Sequence, residues 1–190
     1  HVPIWVAYRM WDEELWNEKL TSEDCFRIDP RVPKNHQIKH SDYTRSGFDR
    51  GHLKPANDAK KDEFEHLNSF VMTNMAPQYG HMNQKEWMAI EGYCNAISRK
   101  DTVKRAYIIT GSIVDENPEW IYDKVAIPSY FYKIFFFQGK EAGWQYWTFY
   151  VKNDKVKVDI RDFEKELRGN AKSVDELEAL TNTNFFVSRR

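Results

Sequence analysis

The stretch from Ser46 to Asp58 reads SGFDRGHLKPAND and sets an acid, an arginine, a glycine and a histidine in succession. Histidine is the side chain whose ordinary pKa suits proton transfer near neutrality, which makes His52 a candidate general base. The Arg50 guanidinium offers a rigid fork of donors matched to phosphate oxygens. Asp49 is near enough to orient His52 or to pair with Arg50. Gly51 has no Cβ, so backbone or substrate can come close. A base beside a phosphate clamp is a fragment of a hydrolase. The same four residues also suit a charged loop, so the motif needs a second part.

That part lies downstream, in TNMAPQYGHMNQKEWMAIE. Trp87, Ile90, Cys94 and Ile97 recur at spacings of three or four, which predicts a helix over 83–99. Asn83 opens this helix and Glu91 follows, about 80° and 12 Å away on an ideal α-helix. Asn83 alone suits an N-cap, and Glu91 alone suits a solvated helix face. Together they suit a magnesium ion, which keeps most of its waters and takes few protein ligands. Asn83 is then the direct ligand and Glu91 holds coordinated waters.

Other groups carry weaker signals. His36 and His40, in HQIKH, have i, i+4 spacing and lie downstream of Cys25, but a zinc site wants more cysteines or an acid close by. His66 and His81 read as surface or loop residues, with His81 close in sequence to Asn83. The basic run RGHLKPANDAKK suits either a groove that tracks a nucleic-acid backbone or a solvated charge run. The aromatic runs SYFYKIFFF and WQYWTFY read as core strands before they read as base-stacking surfaces.

The elements that must position these residues follow from pattern and composition. The 190 residues, 41% hydrophobic and 15% aromatic, fit one globular domain spanning 1–190. A formal net charge of −1 gives no overall basic signature, so a polyanionic partner requires local positive charge. The longest greasy stretch, YFYKIFFF, is broken by Lys133 and is far below the roughly 20 residues needed to span a bilayer. The chain opens without Met and without a signal-like segment, which reads as a processed or trimmed form. Cys25 and Cys94 lie in apolar settings and are read as free thiols.

HVPIWVAYRM reads as a strand, and residues 12–47, broken by Pro30 and Pro33, as loops and short elements. DEFEHLNSF is expected to form a short helix with Phe64, Leu67 and Phe70 as its apolar face. AYIITGSI, KVAIPSYFYKIFFF and WQYWTFYV are expected to form three central strands. SVDELEAL opens a last helix, with Ser173 and Glu176 spaced as a capping box. Strands, helix, strands, helix without regular βαβ alternation favours an α+β fold.

SGFDRGHLKPANDAK, TNMAPQ, NQKEWMAIE and AYIITGSI, in that order, resemble the DNA/RNA non-specific endonucleases. These are the ββα-metal (His-Me finger) nucleases related to a secreted bacterial enzyme and to mitochondrial endonuclease G. WVAYRM looks like the family's first core strand and SVDELEALTNTNFF is similar to its closing segment. The resemblance implies a central, mostly antiparallel sheet flanked by helices. It also implies a Mg²⁺-dependent, sugar-non-specific endonuclease, with Mn²⁺ as a substitute, that leaves 5′-phosphate and 3′-hydroxyl ends.

By the same resemblance His52 is the general base, Asn83 binds the metal and Glu91 supports its water shell. Arg50 sits close to substrate or metal waters, and Asp49 shapes the loop. Arg27, in CFRIDP, is the candidate for an upstream arginine on the scissile phosphate, with Arg31 and Arg45 as competitors. Lys54 stands where a small residue is common and is expected to add a phosphate contact. Ser112 stands where proline is common after TG and is expected to loosen a turn there, while Ile90 replaces the usual leucine. The partners implied are DNA and RNA, with a homodimer and an inhibitor protein as further options and no membrane. The alternatives are a DNA-preferring endo/exonuclease of mitochondrial type and a catalytically silent nucleic-acid-binding module. The expected location is secreted or otherwise extracytoplasmic, with a mitochondrial one as the alternative.

Overall fold

The computed structural model describes residues 1–10, 25–156, 159, 165, 167, 168 and 170–186. In chain order its main elements begin with strand β1 (Trp5–Met10), strand β2 (Phe48–His52), helix α1 (Glu63–Ser69) and strand β3 (Met75–Tyr79). Helix α2 (Met88–Ser98), strand β4 (Val103–Ile113) and the short strands β5 (Trp120–Ile121) and β6 (Val125–Ala126) come next. Strands β7 (Tyr130–Gly139) and β8 (Gly143–Lys152) and helix α3 (Val174–Thr181) follow. Among the described residues, four strands form an antiparallel sheet in the order β1-β4-β7-β8, and β2 pairs antiparallel with β3 in a separate two-stranded sheet.

The large sheet is covered on both faces, which is why β7 reads as an almost unbroken apolar run. Side chains alternate across a strand. Phe131, Phe135 and Phe137 therefore pack with Trp87, Ile90, Cys94 and Ile97 of the long helix. Tyr132 and Ile134 point the other way, onto Val174 and Leu177 of α3. Each fully buried large side chain contributes about 1.5–3 kcal/mol, so these two layers dominate the stability. The capping box on α3 forms as expected: Glu176 N donates to Ser173 Oγ at 3.2 Å, and Ser173 N donates to Glu176 Oε2 at 2.7 Å.

Asn153 ties this small sheet to the end of the large one. Asn153, just past β8, accepts from Tyr79 N at 3.0 Å and donates to Pro77 O at 3.0 Å and Pro128 O at 2.8 Å. Asn74 closes the other end, since its amide donates to Lys54 O at 2.9 Å and Ser69 O at 2.8 Å.

Several expectations change. Helix α1 forms, but Phe64 is 79% exposed; the buried residues are His66, Ser69 and the adjoining Phe70. His66 is thus a core histidine, with Nδ1 3.2 Å from Ala56 O, and not a surface residue. Ser112 lies inside β4 and loosens no turn, because its Oγ donates to Pro3 O at 2.6 Å. The second expected central strand is split: β6 ends at Ala126, and β7 starts at Tyr130, beyond Pro128. Residues 25–47 contain short 3-10 turns at Lys34–His36 and His40–Tyr43, while 12–24 lie outside the described residues. Both cysteines are free, and burial pushes the Cys94 thiol up to about 12. No helix among the described residues is long and apolar enough to cross a membrane.

Candidate active site

The DRGH motif is a strand. Its register against β3 pairs Asp49 with Gln78, Arg50 with Pro77, Gly51 with Ala76 and His52 with Met75. Alternation sets Arg50 and His52 on one face and Asp49 and Gly51 on the other. The missing Cβ of Gly51 serves neither backbone nor substrate. The Gln78 side chain fills that space, and a Cβ there would lie 1.9 Å from Gln78 Oε1.

Arg50 and His52 share an aromatic setting. The Arg50 guanidinium lies 5.6 Å from the ring centres of both Phe26 and Tyr43. Its Nε and Nη2 donate to His40 O at 3.3 and 2.9 Å, which locks the fork in place and leaves its other donors available. The His52 ring meets Phe70 edge-on at 5.1 Å and Phe26 at 6.0 Å. Phe26 therefore touches both residues. It is brought in by Arg27, whose backbone bridges Val71 and whose N donates to Phe70 O at 3.2 Å.

On the other face, Asp49 Oδ2 accepts from Asn83 Nδ2 and from Gln84 Nε2, each at 2.9 Å. A carboxylate only accepts, so the nitrogen side of the Asn83 amide is committed inward and Oδ1 is left for an outside ligand. His52 lies three residues beyond Asp49 on the same strand, roughly 10 Å along it.

The helix that carries Asn83 differs from the expected one. Its first turns, Met82–Trp87, are a π-helix, with Met88 N donating to Asn83 O, and α2 follows. A π turn holds about 4.4 residues, or roughly 82° per residue. Four such steps bring Asn83 and Glu91 to within about 10° around the axis, where a pure α-helix would leave them about 80° apart. On these periods the widened turn rotates the two positions toward one helix face.

Glu91 is mostly buried, and Lys133 Nζ lies 3.6 Å from its Oε1. Burial raises the Glu91 carboxyl to about 7; Lys133 pulls it down and Asp58 pushes it up. Asp58 accepts from Tyr8 Oη and from Asn95 Nδ2, both at 2.8 Å. His81, close to Asn83, faces Glu86 with Nδ1 3.4 Å from Oε1. His36 Nδ1 lies 2.9 Å from His1 Nε2, and His40 packs on Phe26.

Three of the remaining basic candidates have partners. Arg27 Nη2 donates to Asn68 Oδ1 at 3.4 Å. Arg31 spends its fork on Asp29, with Nε to Oδ1 at 2.8 Å and Nη2 to Oδ2 at 2.7 Å, so it competes poorly as a phosphate clamp. Arg45 is exposed at φ 58°, in the turn before β2. Lys54 gives its ammonium to Glu65 and lies 5.1 Å over the Tyr8 ring, so a phosphate contact would have to break that pair. Sequence reasoning missed Phe26, Tyr43, Phe70, Gln84 and Lys133. The apolar ones carry no chemical signal of their own, and Lys133 registered only as an interruption of an apolar run.

Comparison with known proteins shows what this chain is similar to. A family model described as DNA/RNA non-specific endonuclease matches residues 1–189. The chain is 31% identical over 160 residues to Nuclease C1 of Cunninghamella echinulata var. echinulata, covering 74% of this chain and 63% of that protein. It is 28% identical over 164 residues to mitochondrial Endonuclease G of Homo sapiens, covering 80% of this chain and 54% of that protein. It thus spans less than two thirds of either relative. The crystal structure of an EndoG/EndoGI complex, described as showing the mechanism of EndoG inhibition, shares the fold: TM-score 0.81 at 22% identity, over 97% of this chain and 78% of that one. The matched model, the nuclease relatives and the ββα arrangement of β2, β3 and α2 together establish that this chain belongs to the DNA/RNA non-specific endonuclease family.

Proposed function

We propose that the protein is a metal-dependent endonuclease that hydrolyses phosphodiester bonds of DNA and RNA with little sequence preference. The observation that supports this reading is the Asn83–Asp49 bond, which commits the amide nitrogen to the protein and so leaves the amide oxygen to serve as a neutral ligand. An amide oxygen and a carboxylate on one helix face are hard donors of the kind Mg²⁺ takes while keeping most of its waters. Asn83 would ligate the ion and Glu91 would accept from its waters. Mg²⁺ bound there supplies positive charge against the negative charge that develops on the phosphate.

The chain's own groups do the rest. His52 takes the proton from the attacking water, with Phe26 and Phe70 excluding bulk solvent from its ring. Arg50, held by two rings and a carbonyl, directs its remaining N–H groups at the phosphate. Asp49 keeps the Asn83 amide in its ligating orientation. Contacts of this kind address phosphate and not base edges, so sequence matters little. Water attacking in line with the P–O3′ bond breaks that bond, the departing 3′-oxygen takes a proton from solvent, and 5′-phosphate and 3′-hydroxyl ends result. The names of relatives also suggest a mitochondrial setting, and the fold match suggests an inhibitor protein as a partner.

The test is cleavage of covalently closed plasmid and circular RNA, with linear DNA alongside, in Mg²⁺ and in EDTA. Both circular substrates should be opened in Mg²⁺ and neither in EDTA. Digestion restricted to linear ends, or cleavage indifferent to EDTA, would reject the proposal.

A further inference from the structure

Lys133 is a charged residue that the reaction described above leaves unused. It stands in the middle of β7, between Thr110 on β4 and Phe149 on β8, in the row of Phe131, Phe135 and Phe137 that faces α2. Its side chain is fully buried, at 0% exposure. An ammonium withdrawn from water is strongly disfavoured unless it is paired, and an aliphatic side chain would pack this row without that penalty. Lys133 is therefore retained against the packing interest of its own face.

What it reaches explains the retention. Nζ lies 3.6 Å from Glu91 Oε1 and 4.7 Å from the centre of the Trp87 ring, which is one turn before Glu91. The other groups around Glu91 are Tyr8 on β1, Asp58 on the turn before α1, and Cys94 and Asn95 on its own helix. Asp58 is an acid already occupied by Tyr8 and Asn95, while Tyr8 and Cys94 have raised pKa values and stay neutral near pH 7. Among the described residues facing Glu91, Lys133 supplies the positive charge. Without it, two carboxylates would face one another in a poorly solvated space.

We propose that Lys133 is a positioning residue whose buried ammonium anchors the Glu91 carboxylate, as an acceptor, on the helix face that carries Asn83. The inference rests on the nuclease reading for its consequence but not for the ion pair itself. As a carboxylate Glu91 offers both oxygens as charged acceptors to the waters of a bound cation. The pair favours that form against the effect of burial and holds the side chain toward Lys133. Lys133 touches neither substrate nor ion.

The test has a readout that needs no metal. The side-chain carboxyl ¹³C signal of Glu91, assigned by its loss in E91Q, is titrated in metal-free protein for the wild type, K133M and K133R. K133M should move the midpoint up by about one pH unit or more, as expected for loss of an opposite charge at this range. K133R should stay close to the wild type. With Mg²⁺, the rising limb of the pH profile for plasmid nicking should shift the same way in K133M and be rescued in K133R. E91Q/K133M should be no slower than E91Q. Midpoints that superimpose for the wild type and K133M, or a further tenfold loss from E91Q to E91Q/K133M, would overturn the proposal. If K133M alone does not fold, E91Q/K133M decides: neutralising both partners should restore folding, and failure to do so would make Lys133 merely structural. A wild type that leaves plasmid intact would sink the nuclease reading, while the metal-free titration would still judge the ion pair.

Discussion

Replacing Asp49 by asparagine changes one oxygen to an amide nitrogen and leaves the shape of the side chain intact. In the native site Oδ2 accepts two hydrogen bonds, from Asn83 Nδ2 and Gln84 Nε2, each at 2.9 Å. Hydrogen bonds to a charged group contribute about 1.5–3 kcal/mol each and neutral ones about 0.5–1.5 kcal/mol, so neutralising the acceptor weakens the pair by roughly 2–3 kcal/mol. The orientation suffers as well. An amide at position 49 can donate, and Asn83 would then turn its own oxygen inward to accept, withdrawing the atom proposed to hold the ion. Loss of a partner that orients a ligand typically lowers metal affinity by about 10–100-fold, equivalent to roughly 1.4–2.8 kcal/mol, which agrees with the hydrogen-bond figure. The assay is the initial rate of plasmid nicking as Mg²⁺ is raised. D49N should need about 10–100-fold more Mg²⁺ for half-maximal rate and should recover most of its rate at saturation. A folded D49N whose Mg²⁺ curve overlays the wild type, or one with a lower plateau at an unchanged Mg²⁺ requirement, would refute the reasoning.

Other expectations follow from single contacts. H52A should lose about 10²–10⁴-fold in nicking rate while still shifting DNA in a gel, and full activity in the purified variant would remove His52 from the mechanism. G51A should lower stability by about 1–3 kcal/mol, because its Cβ meets Gln78 Oε1 at 1.9 Å, and G51A/Q78A should regain most of it in urea unfolding; no rescue would mean that the strain lies elsewhere. In metal-free protein the Glu91 carboxyl sits at about 7, above its ordinary 4.5, so the folded state holds the proton longer than the unfolded chain. Its contribution is complete below pH about 4.5 and disappears as pH rises through about 7. E91Q should therefore remove about 1–3 kcal/mol of pH-dependent destabilisation over that window, and parallel urea profiles for E91Q and wild type would contradict this.

The sequence made the helices and the large sheet legible because their signals are periodic and local. The stripe of Trp87, Ile90, Cys94 and Ile97 and the Ser173–Glu176 cap needed nothing distant to be read. Strand β2 was hidden because Asp, Arg, Gly and His are poor strand formers and its partner lies beyond α1. β3 was hidden by Pro77, which a strand tolerates only where its missing N–H is not needed. The π turn escaped because six residues cannot distinguish two helical periods. Phe64 followed the helical spacing and yet faces solvent, since the surface that α1 packs on is set by residues far away in sequence. The candidate residues themselves came from residue type and order together with the family resemblance. What no pattern could supply was how they are held: Asp49 on the Asn83 amide, aromatic rings around Arg50, and a buried lysine against Glu91.

At the centre of the proposed reaction Asn83 offers its side-chain oxygen to a single hydrated cation, while His52 serves the attacking water and not the metal. Anomalous diffraction from a crystal soaked in Mn²⁺ tests this directly. One peak within about 2.2 Å of Asn83 Oδ1, close to the 2.0–2.1 Å that Mg²⁺ requires, with the His52 ring outside bonding distance, is the predicted result. A peak bonded to the His52 ring, or one remote from Asn83, would contradict it.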